Sequence, residues 1–478
     1  MAKFYSSLDE IKGEIQSGRI TTEALVNDYL ARIRANAYLN AFNEVFEEEA
    51  LSQSKIVDQR IQAGTAGRLA GMVIAIKDNI CYKGHEVTAS SKILKGFKSV
   101  YSSTIVERLL AEDAIIIGRC NCDEFAMGAS NENSYFGPVK NYADTTRVPG
   151  GSSGGSAVAV QAGLCHAAIG TDTGGSVRQP ASFCGLVGLK PTYGSISRHG
   201  IIAYASSFDQ VGPITRSVED AALLLEVMAG ADDFDSTLAQ SPVPSYSTQL
   251  SATSSKKKIA YIQEAMSSSG VDGDVKGTLA KYIDKLREDG HTVTPIAFEY
   301  LDYIVPTYYI LATAEASSNL ARYDGVHYGY RSPKAVDLLS TYKRSRSEGF
   351  GAEVKRRIML GTFILSAGYY DAYYAKAQKV RRLIKEKTDS LLEEYDFILT
   401  PTAPEPAFPI GKTEKDPVVM YLYDIFTVQA SLAGVPAISL PAGNNDKGLP
   451  LGLQLLTKRF AEQELLNFSK YFLELYKV

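Results

Sequence analysis

Apolar residues follow a helical period through the first part of this chain. Leu25, Tyr29, Leu30 and Ile33 recur at the spacing of one helix face. The sequence Ser7-Leu-Asp-Glu10 is a capping-box pattern, which is typical of a helix start. We therefore predict a solvated helical N-terminal arm over residues 1–62, without a chemical role.

The pattern then changes to short, continuous apolar runs that predict buried strands. These runs cover residues 69–76, 114–118, 166–170, 258–262 and 396–400. Helical patterns separate them at 104–110, 274–288 and 302–323, along the longest stretch at 352–395, and after Phe460. The alternation favours an α/β fold with helices on the faces of a central sheet.

A polar stretch at residues 232–257, rich in Ser, Asp and Pro, is the best candidate for a surface loop or linker. A length of 478 residues allows two to three domains, but large α/β enzymes often form one. We predict one domain over 1–478, in which 63–230 is the core that carries the catalytic motifs. Residues 258–478 complete it and supply the substrate pocket.

Composition excludes several classes of protein. A net charge of −4 argues against a nucleic-acid-binding surface on this chain. Neither a secretory signal nor a run of 18 apolar residues is present, which predicts a cytoplasmic protein that does not span a membrane. The five cysteines fit a reducing compartment better than a disulfide framework: Cys81, Cys120, Cys122, Cys165 and Cys184. Their spacing lacks a second ligand pair, so we predict no metal site.

Two glycine-serine stretches, 149–156 and 172–180, are the strongest chemical signal. Glycine lets the backbone approach a ligand, and serine supplies hydroxyls. Gly151-Ser-Ser-Gly-Gly155 matches the G-x-S-x-G pattern, in which Ser153 would be a nucleophile. That pattern requires a preceding strand, whereas residues 144–149 have the composition of a loop. A phosphate-binding loop is the other alternative, although the G-x-x-x-x-G-K-[ST] motif is missing.

A serine nucleophile needs a base, and no histidine has a recognisable catalytic context. The five are His85, His166, His199, His291 and His327. Lys77 closes the apolar run at 69–76, and burial there would lower its pKa toward the value that a base requires. A strand-end lysine that reaches solvent is the competing interpretation, and Asp78 is placed to keep the lysine charged.

Together, Lys77 and the two glycine-serine stretches resemble the amidase signature family. The resemblance implies that Ser176 is the acyl-forming nucleophile, Ser152 the relay and Lys77 the base. It also implies a mixed central β-sheet covered by helices on both faces, a cis Gly151–Ser152 peptide and a structural role for Ser153. The backbone N–H groups of the oxyanion hole would come from the following residues: Thr173, Gly174, Gly175 and Ser176.

Within that family, the whole chain is similar to the glutaminase subunits of tRNA-dependent amidotransferases. The strings that carry this likeness are 123–128, 347–351, 353–358, 368–374 and 433–439. The resemblance implies that Arg357 holds the carboxylate of glutamine, Asp424 its ammonium group and that Tyr308 lines the pocket. Arg356 is adjacent to Arg357, but on a helix the two side chains point about 100° apart.

The resemblance further implies that the ammonia goes to a partner, which uses ATP to convert Glu-tRNA(Gln) to Gln-tRNA(Gln). We expect no cofactor in this chain, ATP and Mg²⁺ at the partner, and a heterotrimer with two further subunits, one of which binds most of the tRNA. A stand-alone amidase acting on a small amide is the alternative. A catalytically silent scaffold is a third possibility, which the intact Lys77, Ser152 and Ser176 disfavour.

Overall fold

The computed structural model describes residues 4–252, 255–412 and 421–475. Their centre is one 11-stranded sheet in the order β1-β3-β2-β4-β6-β5-β10-β11-β9-β7-β8. The strands are β1 Phe42–Val45, β2 Val73–Lys77, β3 Ile115–Cys120, β4 Ala167–Asp172, β5 Val187–Lys190, β6 Gln210–Thr215, β7 Lys258–Ile262, β8 Thr292–Ile296, β9 Phe397–Pro401, β10 Ala437–Asn444 and β11 Pro450–Leu456. Strand β2 runs parallel to β3 and β4, whereas β4 is antiparallel to β6, so the predicted mixed sheet is confirmed.

Helices cover both faces of this sheet. They are α1 Leu8–Gln16, α2 Thr22–Ala35, α3 Glu47–Ala63, α4 Thr104–Ala111, α5 Gly154–Gln161, α6 Arg178–Phe183, α7 Val218–Met228, α8 Glu264–Ser267, α9 Gly273–Glu288, α10 Leu301–Asn319, α11 Leu338–Gly349, α12 Ala352–Ile364, α13 Lys376–Glu394, α14 Val428–Ala433 and α15 Glu462–Leu475. Alternate strand residues enter two separate apolar clusters: Phe397 and Leu399 belong to one, and Ile398 to the other. This alternation follows from the period of two along a strand.

Two parallel strands bring the candidate chemistry to one edge of the sheet. Residues 74–76 of β2 pair with residues 167–169 of β4. All five residues of β2 are buried, as expected for a strand with neighbours on both sides and helices on both faces. Because the strands are parallel, β2 and β4 end together at Lys77 and Asp172.

The arm at residues 1–62 differs from the prediction in two ways. It contains the strand β1, which pairs antiparallel with β3, with Phe42 opposite Cys120. Its helices are also packed rather than merely solvated, since Leu25 and Leu30 are buried in the main apolar cluster. The helical prediction over the whole arm is therefore wrong at β1, where pairing with β3 at the edge of the sheet outweighs the local helical pattern.

The helical pattern at 352–395 also divides. Helix α12 ends at Ile364, a π-helical turn covers Tyr370–Ala375, and α13 begins at Lys376. Gly368 lies between them with φ of +87°, a conformation that no α-helix accommodates. Residues 232–252 and 255–257 form neither helix nor strand, which confirms the predicted loop for the described part of 232–257.

Two compositional expectations have structural counterparts. All five cysteines are buried and free, which agrees with the expectation that they form no disulfide framework. Across the described ranges, every helix is too short or too polar to cross a membrane.

Candidate active site

The structure brings Lys77 and Ser152 into direct contact at the end of β2. Lys77 Nζ donates hydrogen bonds to Ser152 Oγ at 2.6 Å and to Thr171 Oγ1 at 3.0 Å. Ser152 follows Gly151 through a cis peptide bond, as the resemblance implied. The first step of the predicted relay therefore has hydrogen-bonding geometry.

Burial sets the acid–base character of Lys77. Its side chain is 0% exposed, and this desolvation lowers its pKa to about 8, although Asp123 and Asp172 act in the opposite direction. Asp78 does not form an ion pair with Lys77, because its carboxylate accepts hydrogen bonds from the backbone N–H groups of Thr88 and Ser90 at 3.0 and 2.8 Å. The interpretation of Lys77 as a lysine that reaches solvent is wrong.

Ser176 lies on the turn between β4 and α6. It is 8% exposed, while Lys77 and Ser152 are 0% exposed, so it is the most accessible of the three. Its hydroxyl makes no hydrogen bond within the described ranges. Its carbonyl accepts one from Ser153 N at 3.2 Å, which attaches the two glycine-serine loops to each other.

The turn before Ser176 presents unused backbone donors. The N–H groups of Gly174, Gly175 and Ser176 donate to no acceptor in the described part of the chain. Gly175 has φ of +139°, and a Cβ there would lie 2.2 Å from Thr427 Oγ1, so glycine is required. Thr427 Oγ1 in turn donates to Gly174 O at 2.5 Å. These free N–H groups beside a hydroxyl fit the predicted oxyanion hole.

A buried ion pair holds this turn in place. Arg178 donates through Nε and Nη2 to the two carboxylate oxygens of Asp172, both at 2.9 Å. Its Nη1 reaches Thr427 O at 2.8 Å and Gln454 Oε1 at 2.6 Å. Burial raises the pKa of Asp172, but the charge of Arg178 outweighs it, so the net pKa lies below the ordinary value. Both residues belong to the 172–180 motif, but the sequence alone assigned neither of them a role.

The three predicted substrate residues surround the same turn. Tyr308 faces Gly174, since a Cβ added to Gly174 would lie 2.7 Å from the hydroxyl oxygen of Tyr308. Asp424 accepts a hydrogen bond from Tyr309 at 2.8 Å, and burial raises its pKa to about 7. Thr427, which bonds the turn, also donates its N–H to Asp424 O at 3.0 Å.

Arg357 lies in a box of aromatic and acidic side chains. Its Nε donates to Glu353 Oε1 at 2.8 Å and its Nη1 to Tyr204 Oη at 2.9 Å. Its Nη2 is buried and has no hydrogen-bond partner in the described ranges. Arg356, by contrast, directs its side chain outward with 46% exposure, as the helical geometry predicted. The guanidinium carbon of Arg357 also lies over the rings of Tyr309 and Tyr421, at 5.2 and 5.4 Å from their centroids.

The Nη2 of Arg357 thus has free, charged N–H donors, and a planar carboxylate is an acceptor that fits them. Asp424, whose buried carboxylate has no cationic partner at hydrogen-bond distance among the described residues, is suited to an ammonium group. Sequence reasoning missed Tyr204, Tyr309 and Glu353. Only Glu353 had a signal, since it opens the 353–358 string.

Comparison with known proteins identifies the family of this chain. The sequence model of the amidase family matches residues 24–466. The chain belongs to the amidase family. It is 52% identical to the A subunit of the glutamyl-tRNA(Gln) amidotransferase of Chlorobium luteolum over 98% of this chain and 96% of that protein.

Solved amidase structures have the same fold. The crystal structure of the A subunit of glutamyl-tRNA(Gln) amidotransferase from Thermotoga maritima is 40% identical, with a TM-score of 0.78 over 94% of this chain and 91% of that one. The peptide amidase of Stenotrophomonas maltophilia is 29% identical, with a TM-score of 0.81 over 97% and 96%. The α/β fold predicted from sequence is thus that of an amidase.

The other residues considered for catalysis lie outside the centre of this amidase. Ser153 Oγ bonds the backbone of Thr171 instead, at 3.2 and 3.3 Å, which matches the structural role expected of it. Residues 144–149 form no strand, so the G-x-S-x-G interpretation is wrong. His166 pairs with Asp220 at 2.8 Å, away from Lys77. The described residues contain no cluster of side chains suited to a metal ion.

Proposed function

We propose that this amidase is the glutaminase component of a tRNA-dependent amidotransferase. It would take the amide nitrogen of glutamine and deliver it as ammonia to partner subunits, which convert Glu-tRNA(Gln) to Gln-tRNA(Gln). The likeness to A subunits of glutamyl-tRNA(Gln) amidotransferases, at 52% identity over nearly the whole chain, supports this assignment. We further propose two partner subunits, with ATP, Mg²⁺ and most of the tRNA contacts on one of them, in a complex that acts in the cytoplasm.

One observation carries the choice of glutamine. The unpartnered Nη2 of Arg357 is buried, its guanidinium lies over the ring of Tyr309, and the Tyr309 hydroxyl donates to the carboxylate of Asp424. An α-amino acid offers a carboxylate to Arg357 and an ammonium to Asp424. Binding by both groups leaves the side-chain amide to reach Ser176.

The contact between Lys77 and Ser152 supports a relay of protons through the two serines. Neutral Lys77 accepts the proton of Ser152 while Ser152 accepts that of Ser176, whose oxygen attacks the amide carbon. The N–H groups of Gly174, Gly175 and Ser176 stabilise the oxygen of the tetrahedral intermediate. The relay then protonates the departing nitrogen, ammonia leaves, and water hydrolyses the glutamyl ester on Ser176.

Arg357→Ala in the complex with the partner subunits tests this function. With ATP and Glu-tRNA(Gln), we expect the KM for glutamine to rise about 10²-fold or more, because the substrate carboxylate loses a buried, charged partner. Amidation with added ammonium salt should stay at the wild-type rate. Aminoacyl-tRNA analysis measures both reactions.

Arg382→Ala is the matched control. Its side chain is 80% exposed and pairs with Glu386 away from the pocket, so we expect a change in KM of at most about threefold. Failure of the wild-type complex to make Gln-tRNA(Gln) would refute the proposed function and favour a stand-alone amidase. Equal effects of the two substitutions would instead refute the pocket assignment alone.

The pH dependence of kcat tests the role of Lys77. With a pKa of about 8 in the folded protein, Lys77 is mostly protonated, and thus unable to act as a base, at neutral pH. At one pH unit below its pKa only about a tenth of it is neutral, so kcat should rise with pH toward a plateau, with its midpoint near the pKa. Saturating glutamine removes the contribution of Asp424, whose titration changes binding. A kcat that is constant from about pH 6 to 9 would contradict this role.

A further inference from the structure

Two sequence strings that gave the glutaminase resemblance have no role in the site described so far. They are Asp123-Glu-Phe-Ala-Met-Gly128 and Ser347-Glu-Gly-Phe-Gly351. The structure places them in contact. The Glu124 carboxylate accepts hydrogen bonds from Gly351 N at 2.9 and 3.1 Å, and the rings of Phe125 and Phe350 meet edge to face at 5.6 Å. Both strings therefore belong to one contact between a loop and the start of α12.

Asp123 connects this loop to the relay serine. Its backbone N–H donates to Ser152 O at 3.1 Å. Its buried carboxylate accepts the N–H groups of Asn131 and Asn133 at 2.9 and 3.1 Å. A Cβ at Gly151 would lie 2.1 Å from Asp123 Oδ2, so the carboxylate is packed directly against the Gly151–Ser152 peptide.

Glu124 connects the loop to the residues that hold the substrate. Gly351 is the N-cap of α12, the helix that carries Glu353 and Arg357. A carboxylate at a helix N-terminus is favoured by the helix dipole and satisfies an otherwise free N–H group. Ser91 also donates to Glu124. A Cβ at Gly351 would lie 2.3 Å from Glu124 Oε2, so the fit leaves no space for a side chain.

The loop maintains an unfavourable backbone at this point. Phe125 and Ala126, neither of them glycine, have φ of 51° and 60°. Such a backbone is unfavourable for a residue other than glycine and persists only where its surroundings fix it. Here Phe125 N donates to Ala89 O at 2.9 Å, and Met127 N to Glu124 O at 3.0 Å. The strained turn follows directly on two carboxylates that serve different parts of the site.

We propose that Asp123 and Glu124 are positioning residues, which hold the relay serine and the Arg357 helix at a fixed separation. Asp123 sets the position of the Ser152 peptide, and Glu124 sets the start of α12. One rigid loop thereby aligns the amide of a bound glutamine with Ser176. This inference rests on the proposed function, because glutamine is its readout.

Glu124→Gln and Gly351→Ala test the substrate side. In the complex with partner subunits, we expect each to raise the KM for glutamine about tenfold while kcat changes by less than about threefold, since the relay is untouched. Gly277→Ala is the matched control, because a Cβ at Gly277 in α9 meets no atom within 4 Å. The double variant Glu124→Gln with Gly351→Ala should be little worse than either single one, since both disturb the same contact.

Asp123→Asn tests the relay side. We expect kcat for glutamine to fall about 10²-fold with KM unchanged, because a misplaced relay slows the chemistry without altering binding. Glu124→Asp keeps the charge, so its KM for glutamine should lie much closer to the wild-type value than that of Glu124→Gln.

Two results would overturn the proposal. One is that every variant lowers kcat and raises KM together. The other is that the variants lower the midpoint of thermal unfolding but leave kcat and KM unchanged. Both describe a merely structural loop. The wild-type complex in the same assay separates these outcomes from a failure of the proposed function, since it must itself hydrolyse glutamine.

Discussion

Replacing Ser176 by alanine should abolish glutamine-dependent amidation while ammonia-dependent amidation continues. Ser176 is the most accessible of the three relay residues, and its hydroxyl is the group that we expect to form the glutamyl ester. Loss of a nucleophile costs about 10⁴-fold or more in kcat, because the relay then has no atom to activate. In the proposed function, amidation takes place on the partner subunits and does not use this hydroxyl. Both reactions can be followed in one purified complex by analysis of the aminoacyl-tRNA.

Ser153→Ala is the control for this prediction. Ser153 is adjacent to the relay serine and equally buried, but among the described residues its hydroxyl bonds only the backbone of Thr171. We expect it to retain glutamine-dependent amidation and to lose about 1 kcal/mol of stability. Mass spectrometry of wild-type protein quenched during turnover should find a glutamyl adduct on Ser176. An adduct on Ser153, or loss of both amidation reactions in Ser176→Ala, would contradict the assignment.

Local patterns were sufficient to predict much of the sheet. The run at 258–262 is strand β7 with the same limits, and the helix expected at 274–288 is α9. These segments combine a clear period with polar or glycine-containing ends, so local information decides them. Local information does not decide strand β1, because Phe42–Val45 forms a strand through its pairing with β3.

The site divides in the same way. The resemblance supplied Lys77, Ser152 and Ser176, and the contact between the first two bears out their expected proximity. The box around Arg357 was beyond local reasoning, since Tyr204 lies 153 positions away in the chain. The state of Lys77 was also undecidable from sequence. Asp78 is its neighbour in sequence, yet the Asp78 carboxylate accepts hydrogen bonds from the backbone N–H groups of Thr88 and Ser90 instead of pairing with Lys77.

Removing one partner of the Asp172–Arg178 pair should cause the largest loss of stability. Both side chains are 0% exposed, and each carboxylate oxygen of Asp172 accepts from the guanidinium. Arg178→Met strands a buried charge, which costs about 3–5 kcal/mol in the free energy of unfolding. It also frees the turn that carries Ser176, because Arg178 bonds the Thr427 carbonyl behind it. Urea unfolding followed by circular dichroism and tyrosine fluorescence measures the loss, since the chain contains no tryptophan.

The exposed pair of Arg382 and Glu386 provides the comparison. Their side chains are 80% and 54% exposed, so Arg382→Met should change stability by less than about 1 kcal/mol. Asp172→Asn combined with Arg178→Met should cost less than the sum of the two single changes, because the stranded charge is then absent. Strict additivity would show that the two residues act separately. In that case the turn before Ser176 is ordered by Thr427 and its neighbours, and the ion pair serves only the core.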